Sequence, residues 1–329
     1  MNTPDVVLPL SSVYMRIYFS GMTFSMVYNF AAAILRAVGD NKTPLISLSI
    51  AGVINVILNI IFVTIFNMNV AGVALATILS QAVSAFLAVR ALMKRTDSCK
   101  FIPKKLRFYK QNLINILKIG LPAGLQFCLF DIANVIIQSS INSFGDLVVS
   151  AVSSSHSIEG FVYVCINSFS HAALNFTGQN IGANQHSRIP KILGQCMLCV
   201  FVVGITTGSL VFAFAEQLLS IYLPKSPEAI SYGVTRLGFI VLTYFICGLM
   251  EVVSGTMRGM GFSITPMIIT IICVCVFRII WIYTIFQIPE YHSLECLFVS
   301  YPISWMLSFI VELVVFPFIF HKSLKARRL

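Results

Sequence analysis

The feature that most constrains this chain is its succession of long apolar runs separated by short polar breaks. Reading runs against breaks gives nine helix-length segments, at roughly 12–37, 44–66, 70–92, 112–143, 147–177, 193–215, 231–255, 264–286 and 296–320. Each is near or above the ~20 residues that an α-helix needs to cross a bilayer. Lipid offers no partner to an open N–H or C=O, so such runs are expected to satisfy their backbones as helices. Composition agrees. Of the 329 residues 57% are hydrophobic and 10% charged, with a mean hydropathy of +0.89, where soluble domains carry roughly 25% charged residues. The expected class is an all-α polytopic membrane protein.

A formal charge of +10 would by itself suit a nucleic-acid binder, so the positions of the basic residues decide. With alternate loops assigned to opposite sides, 18 of the 22 Lys and Arg fall on one side, the exceptions being Arg16, Lys225, Arg236 and Arg278. That bias marks the cytoplasmic face. It predicts a cytoplasmic C-terminus, Met1 outside, a multi-pass protein of the cell inner (plasma) membrane, and no nucleic-acid partner. The loop at 94–111 carries Lys94, Arg95, Lys100, Lys104, Lys105, Arg107 and Lys110. It reads as a basic cytoplasmic linker touching anionic head groups, between a partial three-helix bundle at 1–93 and a six-helix bundle at 112–329.

Seven of the nine cysteines lie inside apolar runs, where a thiol acts as a small hydrophobe. Cys196 and Cys199 form a CxxC without a partner Cys or His nearby, and His156 and His171 have no HExxH context, so no metal site is expected. No phosphate-cradling GxxxxGK[ST] occurs, which argues against an ATP-driven pump, and nothing reads as an enzyme. The triplets Asn41-Lys42-Thr43 and Asn175-Phe176-Thr177 fall at cytoplasmic or intramembrane positions, where glycosylation is not expected. Met1 to Ser11 carries Asp5 and two prolines and does not read as a signal peptide.

One pattern recurs. Arg36, Gly39, Thr43 and Pro44 match Arg258, Gly261, Thr265 and Pro266 at the same offsets, 222 residues apart. Each copy sits at the cytoplasmic junction of two spans and runs in the same direction, as in a parallel internal repeat. Gly permits the turn, Pro opens the next helix, and Arg lies at a helix C-terminus where the dipole favours a cation. Mapping the start of the second bundle back by the repeat distance predicts about 110 further residues, worth three spans, before Met1. The chain then reads as nine transmembrane helices of an expected twelve.

At this point the residues resemble a known family, the multidrug and toxic compound extrusion (MATE) transporters. The carriers are Tyr14-Met15-Arg16, Ile34 to Asp40 with Lys42-Thr43-Pro44, Val70 to Thr77 with Ser80-Gln81, Gly120-Leu121-Pro122, Gly178 to Ala183, Met257 to Gly261, and Tyr301 to Trp305. The resemblance implies a two-bundle fold and cation-coupled antiport, on Na+ or H+, that expels organic cations and drugs. It implies no other cofactor. In sodium-coupled relatives an aspartate stands at what is Cys247 here, and a glutamate stands one residue before the position of Asp131.

Ionisable groups inside spans are costly and therefore informative. Glu251, Asp131 and Glu159 are the candidates for cation coupling. Glu251 lies one turn from Cys247, so both share a helix face; Glu159 is within reach of His156 at i, i+3. Glu312 reads as a structural partner for a basic group. Gln126, Asn134, Gln138 and Asn142 form one stripe at spacings of four and eight, expected to face a cavity or another helix. Asn55 and Asn59 repeat that spacing in the first bundle, and Asn29 is the repeat equivalent of Glu251. Phe127, Phe130 and Tyr163 are candidates to stack on a flat cation. The expected partners are the bilayer and small amphipathic, cationic substrates, with the protein a monomer. Two alternatives stay open: a lipid-linked oligosaccharide flippase of the same superfamily, which would need cationic residues such as Arg278 or Arg236 in its cavity, and an inactive truncated fragment.

Overall fold

The computed structural model describes residues 8–224 and 226–325, all helical or irregular and with no strand among them. Lys225, Arg327 and Arg328, which entered the charge bias, and Met1 and Asp5 lie outside the described residues. The helices are α1 (Leu8–Ser20), α2 (Met22–Ala37), α3 (Lys42–Ile60), α4 (Asn69–Lys94), α5 (Lys110–Asn142), α6 (Asp146–Gly182), α7 (Ile189–Ala213), α8 (Ala215–Tyr222), α9 (Pro227–Val241), α10 (Tyr244–Gly259), α11 (Ile264–Thr270), α12 (Phe277–Tyr283) and α13 (Leu294–Lys325). Two π-helical segments intervene, Ile61–Ile65 after α3 and Ile271–Val276 between α11 and α12.

Every apolar run of the sequence is thus helical to within a few residues. Among the described residues seven helices or helix pairs are long and apolar enough to cross a membrane, and α1 with α2, bent by 44° at Gly21, makes an eighth. The remaining run is α6. At 37 residues it is long enough to cross, but five consecutive polar residues from Ser153 to Ser157, and Glu159, dilute its apolar character. The polar face of such a helix belongs inside a bundle rather than against lipid, and α6 packs on α7, α9 and α10. Large apolar side chains such as Phe30, Leu45, Ile65, Leu121 and Ile221 on the other helices, and Phe161 on the outer face of α6, stay exposed, the pattern of a surface meant for acyl chains.

The chain divides into two compact units, one up to Phe108 and one from Tyr109 onward. The boundary falls inside the basic stretch 94–111. In the first unit α2 and α4 pack through Tyr28, Leu35, Ala85, Ala88 and Leu92. In the second, α10 is enclosed by α6, α7 and α13 and is buried along nearly its whole length. Small residues permit this: at Gly255 a Cβ would meet the carbonyl oxygen of Ser170, and at Gly248 it would meet Ile166 and Val200.

The repeat turn is the same structure twice. Gly39 and Gly261 both have positive φ, 85° and 93°. In each copy the glycine N–H donates to the carbonyl of the arginine (Gly39 to Arg36, 3.0 Å; Gly261 to Arg258, 2.9 Å), and the next residue closes back one step further (Asp40 to Leu35, 2.9 Å; Phe262 to Met257, 3.0 Å). This paired closure of a helix end favours a glycine in the left-handed region. Pro44 and Pro266 are each the third residue of the following helix and are buried. The copies then diverge. Asp40 accepts from the Thr43 N–H (3.0 Å) and hydroxyl (2.7 Å), and chiefly that backbone bond holds its carboxyl below the usual aspartate range. In the second copy Phe262 stands at this place.

Candidate functional site

The second unit encloses a cavity of about 550 Å³. One wall is α5, whose Phe130, Asp131, Asn134 and Gln138 line it; Glu159 and Tyr163 of α6 line another. Phe127 of α5 lines it too, so seven of the coupling and cavity candidates singled out from sequence meet at one place. Spacings of three and four put Phe130, Asn134 and Gln138 on one face of a helix, and Asp131 joins them because the cavity is wider than a single stripe. Arg236 of α9, Tyr244 and Cys247 of α10, and Tyr301 and Trp305 of α13 line it as well.

The charges are arranged unevenly. Glu159 and Arg236 form a two-pronged ion pair, with Nη1 donating to Oε2 (2.8 Å) and Nη2 to Oε1 (3.2 Å), and Nη1 also donates to Ser155 Oγ at 3.1 Å. Both side chains are buried. His156, three residues before Glu159 and largely exposed, stands 3.8 Å from the same carboxylate. Glu159, a coupling candidate within reach of His156 by its spacing, therefore has its charge balanced from α9, a partner that no spacing along α6 reveals. Asp131 by contrast is exposed to the cavity.

Glu251 does not line the cavity; Cys247, one turn away on α10, does. Glu251 is buried, and its backbone carbonyl accepts from Ser170 Oγ at 2.8 Å. Gln126 is also absent from the lining. It joins two helices instead, donating to Thr270 Oγ1 (2.9 Å) and accepting from Arg258 Nη2 (2.8 Å). Arg258 therefore reaches across to α5 and over the Phe127 ring at 5.6 Å, so its role exceeds that of a helix-end cation. Glu312 likewise departs from expectation. Its Oε1 accepts from Ser254 Oγ (2.8 Å), Oε2 has no hydrogen-bond partner, and among the described residues no basic group lies within 4.0 Å of it.

In the first unit Asn29 is exposed. Asn55 is half-buried, donates to Ser80 Oγ at 3.3 Å and accepts from Asn59 at 3.0 Å, tying α3 to α4. Tyr244, Tyr301 and Trp305 are lining residues to which the sequence gave no place in a cavity, while Arg278, named there only for a flippase cavity, lies behind the lining. The available signal was an arginine inside an apolar run. Arg278 is wholly buried, with its guanidinium carbon 4.1 Å from the Tyr301 ring centroid. Among the described residues no cluster of three or more His, Cys, Asp or Glu is placed to hold a metal ion.

Comparison with known proteins follows the same lines. The family model described as MatE matches residues 1–61 and 122–284. The probable multidrug resistance protein YpnP of Bacillus subtilis is 30% identical over 84% of this chain and 62% of its own length. The probable multidrug resistance protein YoeA of the same organism is 27% identical over 98% of this chain and 71% of its own. The chain thus spans less than two thirds of the first of these relatives. Among solved structures, MATE in complex with MaL6 superposes with a TM-score of 0.89 at 21% identity, covering 99% of this chain and 73% of that one. A MOP superfamily transporter from Pyrococcus furiosus, described as having a binding pocket of reverse polarity that suggests a different function, gives 0.87 at 20%, covering 98% and 72%. At these identities the structures speak for the fold, and the family model, matching most of the chain, speaks for descent: the chain belongs to the multidrug and toxic compound extrusion (MATE) family.

Proposed function

We propose that the protein is a cation-coupled antiporter, driven by Na+ or H+, that exports small amphipathic compounds, organic cations among them, across the plasma membrane by alternating access. It works as a monomer with its C-terminus in the cytoplasm. The observation that carries the reading is the cavity of the second unit, which sets the aromatic rings of Phe130, Tyr163, Tyr244 and Trp305 around the exposed carboxylate of Asp131. Ring faces attract flat cations, and a carboxylate facing a water-filled space binds a proton or a sodium ion without a closed cage of ligands. Asp131 is the coupling group best supported. Glu251, buried one turn behind Cys247, is the second. Glu159, paired with Arg236, holds the cavity wall together.

The test is efflux of ethidium from proteoliposomes under an imposed sodium or proton gradient, with Asp131→Asn and Glu251→Gln compared at equal reconstitution. A fall of about tenfold or more in Asp131→Asn, with retained dye binding, supports coupling there; full gradient-driven efflux in both variants would sink it.

One observation favours a second reading, transport of a molecule carrying negative charge, as in a lipid-linked oligosaccharide flippase. Arg278 stands behind the cavity wall without a balancing carboxylate.

A further inference from the structure

We propose that Arg278 and the rings around it form a subsite for an anionic group, a carboxylate, sulfonate or phosphate, carried on an amphipathic ligand of the cavity. Arg278 is fully buried on α12, in the turn that follows the π-helical segment Ile271–Val276. Its Nε donates to Ser304 Oγ (3.0 Å) and its Nη1 to Asn134 Oδ1 (3.0 Å), while Nη2 has no hydrogen-bond partner. Its guanidinium carbon lies 4.1 Å from the centroid of Tyr301, 5.3 Å from Phe130 and 5.8 Å from Trp305. Among the described residues no carboxylate oxygen comes within 4.0 Å of it.

A guanidinium stays protonated in any surroundings, and a buried charge is normally paired. The comparison with Arg236 is internal to the same cavity: there Glu159 supplies the counter-charge through two bonds, whereas Arg278 has only neutral neighbours. A second donor is also unpartnered. Trp305 Nε1 is buried without a hydrogen bond, on the ring that already flanks Arg278. Phe130, Asn134, Tyr301 and Trp305 touch Arg278 or its rings and line the cavity at once, so a single layer of side chains separates the guanidinium from the space. An anion that displaced part of this layer would meet two N–H donors, Arg278 Nη2 and Trp305 Nε1, one of them charged, and charge-assisted bonds of this kind are the strong ones. Asp131, one turn from Asn134 on α5, makes the cavity bipolar and sets the end to which a positive group would go. This inference rests on the cavity being a ligand site, and its test is binding, read separately from transport.

The probes are 1-pyrenesulfonate and 1-pyrenemethylammonium, the same ring system with opposite charge, titrated against the full chain in phosphatidylcholine nanodiscs. Arg278→Gln removes the charge. Asn134→Asp balances it from within by placing a carboxylate at the atom that already accepts from Nη1, and so keeps the fold if Arg278→Gln does not. The expected result is that each variant weakens pyrenesulfonate binding by about tenfold or more and leaves the ammonium probe within about threefold or tighter. The proposal is overturned if the unmodified chain does not bind pyrenesulfonate, or if a folded Asn134→Asp binds it undiminished. Repeating the titration with phosphatidylglycerol in the nanodisc separates the sources: displacement assigns the subsite to a lipid head group, and no displacement assigns it to a soluble amphipathic anion. Loss of ethidium efflux with pyrenesulfonate binding intact would count against the antiport reading alone.

Discussion

Glu159 of α6 and Arg236 of α9 face each other inside the second unit through two hydrogen bonds of 2.8 and 3.2 Å, both side chains nearly sealed from solvent. Two charges removed from water are tolerated only because each completes the other. Removing one leaves its partner buried and unbalanced, which typically costs about 3–5 kcal/mol, whereas replacing both by apolar residues of similar volume is often close to neutral. Arg236→Met and Glu159→Leu are each expected to lower the thermal stability of the purified protein sharply, and the double substitution to recover most of the loss. Additive single effects in that cycle would show that the pair is not a unit.

Two kinds of glycine should respond differently to substitution. At Gly261 a Cβ meets open space, so Gly261→Ala costs only the positive φ, about 1–2 kcal/mol, and Gly261→Asn costs less because Asn tolerates that region. At Gly208 of α7 a Cβ would run into the carbonyl oxygen of Val241. There Ala forces the helices apart, at about 1–3 kcal/mol, and Asn is worse than Ala. Thermal unfolding of the four variants reads the order directly, and the ranking of Asn against Ala at the two sites is the discriminating result.

Gln126 carries a connection between helices and not a cavity wall. Gln126→Leu leaves Arg258 Nη2 without its acceptor in a buried setting where Arg258 Nε already lacks one. A loss of about 1–3 kcal/mol is expected, with ethidium binding in the cavity unchanged. If Gln126→Leu instead abolishes dye binding at undiminished stability, the residue belongs to the ligand site.

Asp40 gives the acid dependence its sign. Its carboxyl is held below the usual range by the Thr43 backbone bond first and the Thr43 hydroxyl second. A depressed folded value means that the Asp40–Thr43 bonds stabilise above the ordinary aspartate pKa, about 4, and that this contribution fades as pH falls through the lower folded value. Between pH 7 and pH 3 the unmodified chain should therefore lose more stability than Asp40→Asn, and the two melting curves should converge on the acid side.

What the sequence determined by itself is what lipid and chain geometry impose locally. Helix positions follow from apolar runs because a backbone in lipid must satisfy its own hydrogen bonds, and the runs lie on the helices to within a few residues. The Arg-x-x-Gly turns were legible because a positive φ at Gly39 and Gly261 narrows the choice of residue. The polar face of α5 was legible because Asn134 and Gln138 stand one turn apart. Only the tertiary structure decided partnership. Glu159 and Arg236 are 77 residues apart in the chain, and Arg278 and Asn134 are 144 apart. Whether a buried charge is balanced, orphaned or facing a cavity depends on which helices pack together, and helical periodicity carries no information about the neighbour. That is why Glu159 reads from sequence as a coupling acid and stands in the fold as half of an ion pair, while Arg278, legible in sequence only as a cation within an apolar run, stands behind the cavity wall with its charge unbalanced.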